Sequence, residues 1–270
     1  MFTSILLVIL LGFVEGLTEY LPVSSTAHLL IGEQALGFHP PGEVFPIVIQ
    51  LGAILAVVVV YWRKFWDALI GLPTKPEARQ FALGIFVAFL PSAVAGLALH
   101  HFIKDVLFNP SYSLVVIATT LFTGGVLILI LERSAPEPRF KDGDHLPLSK
   151  CFQIGLCQCL ALVPGVSRSG ATILGGMLLG VERKAGAAFT FYLAVPTMLA
   201  ATLYDLYTNR ALLDASAAGD IALGFVVSFL VAYVVVRGFI GFIGHYGLKP
   251  FGWYRIAAGL ALFGYIAFAQ

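Results

Sequence analysis

Glu15-Gly-Leu-Thr-Glu-Tyr-Leu-Pro-Val-Ser-Ser-Thr-Ala-His28 sets two carboxylates, the hydroxyl run Ser24-Ser25-Thr26 and an imidazole inside an otherwise apolar segment. Pro22 fixes φ, lacks an N–H and restricts the residue before it, so no regular helix continues through the stretch. The segment from Phe2 to about Ile31 is therefore either a kinked span or a re-entrant hairpin. On translocon-type scales a charged side chain at bilayer depth costs roughly 2.5–3.5 kcal/mol, which makes intramembrane ionisable residues functional-site candidates.

The surrounding chain has the composition of a bilayer protein. Of its 270 residues, 59% are hydrophobic and only 11% are charged, with a mean hydropathy of +0.92. Apolar runs close to the roughly 20 residues needed for a helical span recur throughout. Strand-length alternation is missing, which argues against a barrel. A basic n-region and a small-residue cleavage site are both missing after Met1, so no removable signal peptide is expected. The net charge of +1 offers no footprint for nucleic acid. Cys151, Cys157 and Cys159 lack zinc-site spacing and read as inert thiols.

Spans are expected at about Val44–Trp62, Phe81–His101, Ser113–Leu131, Ala185–Leu203, Ile221–Ile240 and Trp253–Phe268. A second broken stretch, 151–180, is interrupted at Pro164-Gly165. Suppose both broken stretches return to the side from which they start. Arg63, Lys64, Lys75, Arg79, Arg133, Arg139, Lys141, Lys150, Arg183, Lys184, Arg237, Lys249 and Arg255 then gather on one side, and Lys104 and Arg210 on the other. The positive-inside rule makes the rich side cytoplasmic and both termini external.

An internal repeat points the same way. Ala82-Leu-Gly-Ile-Phe-Val-Ala-Phe-Leu90 and Ala222-Leu-Gly-Phe-Val-Val-Ser-Phe-Leu230 agree at six positions with an offset of 140, and Pro22 and Pro164 are 142 apart. Each half then has one re-entrant hairpin and three crossings, an odd number that inserts the second half upside down. The expected fold is an all-α polytopic membrane protein with an inverted-topology repeat. Its parts are a first repeat over 1–131 (hairpin about 2–31), a cytoplasmic linker over 132–150 and a second repeat over 151–270 (hairpin about 151–180).

Broken helices of such repeats meet near the bilayer midplane. Glu15 and Glu19, at i and i+4, share one helix face. Ser24, Ser25 and Thr26 suit a helix start, where free N–H groups attract anions, and His28 follows one turn later. Pro164–Thr172 supplies Ser167, Ser169 and Thr172 around Arg168, whose fork of donors matches phosphate oxygens. The combination suits phosphoryl chemistry. Arg168 and the helix starts orient a phosphate, the carboxylates hold a hard divalent cation or accept a proton, a hydroxyl attacks, and His28 serves as acid or base. The hydroxyls could equally be plain helix caps, and Gln50, Gln153 and Gln158 either line a cavity or bond between helices.

Four segments carry a family resemblance: Val14–His28, Ile49–Val59, Leu160–Gly180 and Leu193–Tyr207. They resemble the undecaprenyl-diphosphate phosphatase, or bacitracin-resistance, family across essentially the whole chain. The resemblance implies hydrolysis of undecaprenyl diphosphate to the monophosphate carrier lipid for cell-wall synthesis, with Mg2+ or Ca2+. Glu15 and Glu19 fall in its acidic, metal-binding motif, Ser25 is its nucleophile or phosphate ligand, His28 its acid or base, and Arg168 its phosphate clamp. Ser24, Thr26, Ser167, Ser169 and Thr172 are the expected further phosphate contacts. The implied setting is the bacterial inner membrane, with the site opening to the outer side. The partners are the bilayer and the lipid substrate, and the sequence leaves open whether the chain forms a homodimer. The rival readings are a flippase for anionic polyprenyl lipids and a non-catalytic receptor for them.

Overall fold

Pro22 and Pro164 each stop a helix, and at both places the backbone turns back on itself. In the computed structural model, which describes residues 2–37, 45–109, 112–208 and 218–269, α1 (Phe2–Thr18) and α2 (Ser25–Leu36) flank the first break. The second lies between α8 (Leu148–Gln158), prolonged by a 3-10 turn over Cys159–Leu162, and α9 (Arg168–Leu178). Gly32 faces Leu11 and Gly175 faces Cys157, so each pair forms an antiparallel hairpin. Between the hairpins lie α3 (Phe45–Val60), α4 (Trp62–Gly71), α5 (Pro76–Ala98), the short α6 (His100–Phe102) with a π-helical turn (Ile103–Leu107), and α7 (Ser113–Ser134). α10 (Arg183–Thr208), α11 (Ala218–Tyr246) and α12 (Lys249–Ala269) complete the chain.

Among the described residues, α5, α7, α10, α11 and α12 are long and apolar enough to cross a membrane, and α3 with α4 makes a sixth candidate. The chain is an all-helical polytopic membrane protein. Arg210 of the sequence reading lies outside the described residues, as does the side chain of Lys104.

Small residues let the hairpins sit close against long helices, the contact that drives helix association where lipid supplies no hydrophobic gain. A Cβ on Gly16 would lie 2.5 Å from the Ser228 carbonyl oxygen, and one on Gly12 would lie 2.7 Å from that of Gly224. These contacts put α1 alongside α11, running in the same direction. Gly155 is pressed against the Ala88 carbonyl, and Gly84 faces Cys151, so α8 likewise runs along α5. Gly52 lies on Phe225 and Ile49 on Gly224, which gives α3 the direction of α11. The chain reverses between α3 and α5, so the two hairpins enter the bundle from opposite ends.

Three features depart from the sequence reading. Trp62–Gly71 is a helix bent 70° from α3, not part of a loop. Its Trp62, Trp66, Leu69 and Ile70 are exposed at the spacing of one helical face, while Phe65 and Ala68 pack inward. With Arg63 and Lys64 just past the expected span end at Trp62, these ten residues read as the start of a polar loop. The segment after α7 is more than a tether: Arg139 and Phe140 N–H groups donate to the Gly180 carbonyl at 2.8 and 3.0 Å, and Lys64 pairs with Asp144 at 2.5 Å. Arg255, counted above among the charges gathered on one side of the membrane, is buried inside the bundle.

Candidate active site

The two hairpin tips meet. The α1 turn runs on past Thr18, with the Glu19 N–H donating to the Glu15 carbonyl at 3.0 Å, so both carboxylates fall on one face and both are buried. At the second tip Val163-Pro164-Gly165-Val166 makes a turn closed by the Val166 N–H on the Val163 carbonyl at 3.1 Å, with Gly165 at φ +83. Pro followed by a residue with positive φ is the type II pattern, which glycine alone adopts without strain. At the first tip it is Ser24, not glycine, that takes φ +72. Non-glycine residues rarely adopt this region, and when they do they cluster at functional sites.

Ser24 and Ser167 occupy equivalent places as N-caps, accepting from the Ala27 N–H at 3.4 Å and the Gly170 N–H at 3.1 Å. The residue after each cap reaches the same carboxylate. Ser25 Oγ donates to Glu19 Oε2, and Arg168 Nη2 lies 3.4 Å from Glu19 Oε1. Arg168 Nη1 donates to the Thr190 carbonyl at 3.3 Å, its Nε is buried without a hydrogen-bond partner, and the guanidinium sits 5.8 Å from the Tyr20 ring centroid. Tyr20 is fixed in turn by its hydroxyl on the Ala53 carbonyl at 2.8 Å.

A cavity of about 860 Å3 opens over this junction. Glu19, Ser24, Ser25, Thr26, Ser167 and Arg168 form its polar floor. Its walls, from α5 and α10, are largely apolar, with Phe89, Leu97 and Met198 among them. Gln50 and Gln158 also face it, whereas Gln153 accepts from Lys150 Nζ at 3.2 Å elsewhere.

Four residues of the sequence reading stand apart from the floor. Ser169 and Thr172 are 0% and 1% exposed, with hydroxyls on the Leu21 carbonyl (2.8 Å) and the Arg168 carbonyl (2.9 Å). Ser169 thereby ties the second tip to the first, whereas Thr172 bonds within α9 and accepts from Thr190 Oγ1 of α10 at 2.8 Å. His28 points toward α12: its Nδ1 is 2.7 Å from the Ser24 carbonyl and so carries the proton, leaving Nε2 to accept from the Tyr254 hydroxyl at 2.5 Å. Glu15 lies behind Glu19, with Oε1 buried and unpartnered.

A family described as Bacitracin resistance protein BacA matches residues 8–261. The chain belongs to the BacA family. A protein named undecaprenyl-diphosphatase from Caulobacter sp. (strain K31) is 51% identical over 262 residues, 97% of each chain. One named undecaprenyl-diphosphatase 2 from Paramagnetospirillum magneticum is 52% identical over 93% of this chain and 95% of its own. Another undecaprenyl-diphosphatase, from Cereibacter sphaeroides, is 49% identical over 95% of both chains. The BacA match spans both hairpins, so every floor residue lies within it.

The sequence reading missed Arg255 of this BacA-family chain. It is 3% exposed and gives Nη1 to the Pro22 carbonyl at 3.1 Å, and Nη2 to the carbonyls of Thr120 (2.9 Å) and Gly165 (3.0 Å). As the third residue of the expected span Trp253–Phe268 it reads as a charge at the membrane edge, so its place in the sequence did not mark its burial. Tyr254, beside it, and Thr190 were also missed. Their partners are distant in sequence, and no local pattern marks them.

Proposed function

We propose that this protein is a membrane phosphatase that hydrolyses undecaprenyl diphosphate to undecaprenyl phosphate and inorganic phosphate. It thereby recycles the carrier lipid for cell-wall synthesis and confers bacitracin resistance. The observation that carries the reading is Glu19, bonded on one side to a serine hydroxyl and on the other to an arginine, on the polar floor of a cavity with apolar walls. The names of the relatives supply the lipid.

In this account the terminal phosphate rests on Arg168, Ser24, Thr26, Ser167 and the first N–H groups of α2 and α9, where helix starts favour anions. Glu19 Oε2 takes the proton of Ser25 Oγ, which attacks the terminal phosphorus and breaks its bond to the bridging oxygen. The lipid leaves as its monophosphate. Water then cleaves the Ser25 phosphoester, releasing inorganic phosphate and restoring the hydroxyl. Ser169 contributes by holding the tips together, and Thr172 by linking α9 to α10. His28 holds the Ser24 carbonyl and with it the strained cap, and that is the role its two hydrogen bonds support best.

A divalent cation, Mg2+ or Ca2+, fits the donor set. Glu15 Oε1 is a buried oxygen without a partner, beside a second carboxylate, and no cluster of three or more His, Cys, Asp or Glu able to hold a metal occurs among the described residues. Mg2+ is commonly held by one or two carboxylates together with substrate phosphates. Glu15 and Glu19 would hold it here. When bound, it supplies positive charge to the phosphate oxygens.

The inverted repeat, with halves 1–131 and 151–270 about a cytoplasmic linker, is supported by recurring contacts. Gly16 against Ser228 and Gly155 against Ala88 are the same hairpin-to-helix contact, and Ala88 and Ser228 are the pair that the 140-residue offset aligns. An outward-facing site in the bacterial inner membrane is supported by charge. The cavity is also lined by Ile103, Phe108 and Thr208, at the end away from Arg63, Lys75, Arg133 and Lys150. A two-fold partner is compatible with this arrangement but not required by it.

Purified protein in detergent, given a long-chain polyprenyl diphosphate, is expected to release inorganic phosphate. Binding without release would replace the phosphatase by a receptor or flippase.

A further inference from the structure

Arg255 faces no carboxylate: no ion pair involving it occurs among the described residues, and all its hydrogen bonds go to backbone carbonyls. Two of those carbonyls, Pro22 and Gly165, lie at the broken tips, where no helical N–H can reach them, and a buried carbonyl left unpaired is costly. The other two, Thr120 and Leu121, belong to α7. One rigid planar fork therefore spans the first hairpin, the second hairpin and a crossing helix, a geometry that a lysine point charge does not reproduce. α7 leaves space for it, since a Cβ on Gly124 would collide with the guanidinium. Thr120 adds to the same junction by donating from Oγ1 to the Pro164 carbonyl at 2.8 Å.

From this we infer that Arg255 is a positioning residue for catalysis. It sets the distance between the two tips, and through it the placement of Glu19 and Ser25 against Arg168. It touches neither the phosphate nor the reacting atoms. The inference rests on the phosphatase reading for its kinetic readout, while its structural readout is independent of activity.

The test compares Arg255→Gln, Arg255→Lys and Gly124→Ala with the parent protein in detergent. Two quantities are read: phosphate release from a polyprenyl diphosphate, and hydrogen exchange in peptides covering residues 19–27 and 163–170. Arg255→Gln is expected to lower kcat about 10- to 100-fold while KM moves less than about threefold, because misplacement of about 1 Å costs that much in rate. Exchange at both tips should rise about tenfold, with peptides from the middle of α11 unchanged. Arg255→Lys should recover part of kcat. Gly124→Ala, which keeps the guanidinium but displaces it, should shift both readouts in the same direction as Arg255→Gln, and it decides the matter if Arg255→Gln does not fold. Parent-like kcat and parent-like exchange at both tips in a folded variant would overturn the inference. A parent without turnover would remove the phosphatase reading, leaving the exchange comparison to judge the clamp alone.

Discussion

Ser25, Glu19 and Arg168 divide the work, and substitutions should separate them. Ser25→Ala removes the attacking oxygen and leaves the anion cradle, so turnover should fall roughly 100-fold or more with substrate affinity retained. Turnover close to the parent's would assign the attack to water. Arg168→Ala should weaken binding and turnover together, since it deletes a charged donor whose bonds are each worth about 1.5–3 kcal/mol, or roughly 10- to 100-fold. Steady-state kinetics and equilibrium binding of a polyprenyl diphosphate distinguish the two patterns. At this scale the sequence was informative wherever the chemistry is local. Glu15 and Glu19 one turn apart, and a serine cap just past each proline, are readable from spacing alone. The direction of His28, the burial of Ser169 and Thr172, and the reach of Arg255 depend on partners tens to hundreds of residues away, which no window of sequence contains.

Helix elements are held here by glycine contacts rather than by a hydrophobic drive. Gly16 rests on the Ser228 carbonyl oxygen, so Gly16→Val should push α1 off α11 and destabilise the fold by about 1–3 kcal/mol, seen as a lower melting temperature in detergent. Gly238→Ala on α11 is the control, because nothing lies within 4 Å of its added methyl, and its melting temperature should match or slightly exceed the parent's. Hydropathy revealed the long helices, and proline revealed both breaks. It did not reveal α4, because ten amphipathic residues lie below the length of a span, nor the pairing of Phe140 with Val181, which joins the linker to the turn after α9.

For the whole molecule, the offset of 140 that relates Ala82 to Ala222 also relates Ala88 to Ser228, the residues on which Gly155 and Gly16 rest. The distribution of charge predicts sidedness. In a background with the three native cysteines replaced by alanine, a cysteine at Asn109 should react with an impermeant thiol reagent added outside intact cells, and one at Asp144 should not; the reverse pattern would turn the site inward. Two hairpins inserted from opposite ends bring a carboxylate and a guanidinium to 3.4 Å across 149 residues of chain. The most direct test of that junction is an experimental structure with a non-hydrolysable polyprenyl diphosphate analogue bound. The terminal phosphorus is expected between Ser25 Oγ and Arg168, with its oxygens in hydrogen-bond reach of both and the prenyl chain along the wall of α5 and α10. A phosphate bound away from the hairpin tips, with Glu19 and Arg168 still paired and untouched, would contradict the account.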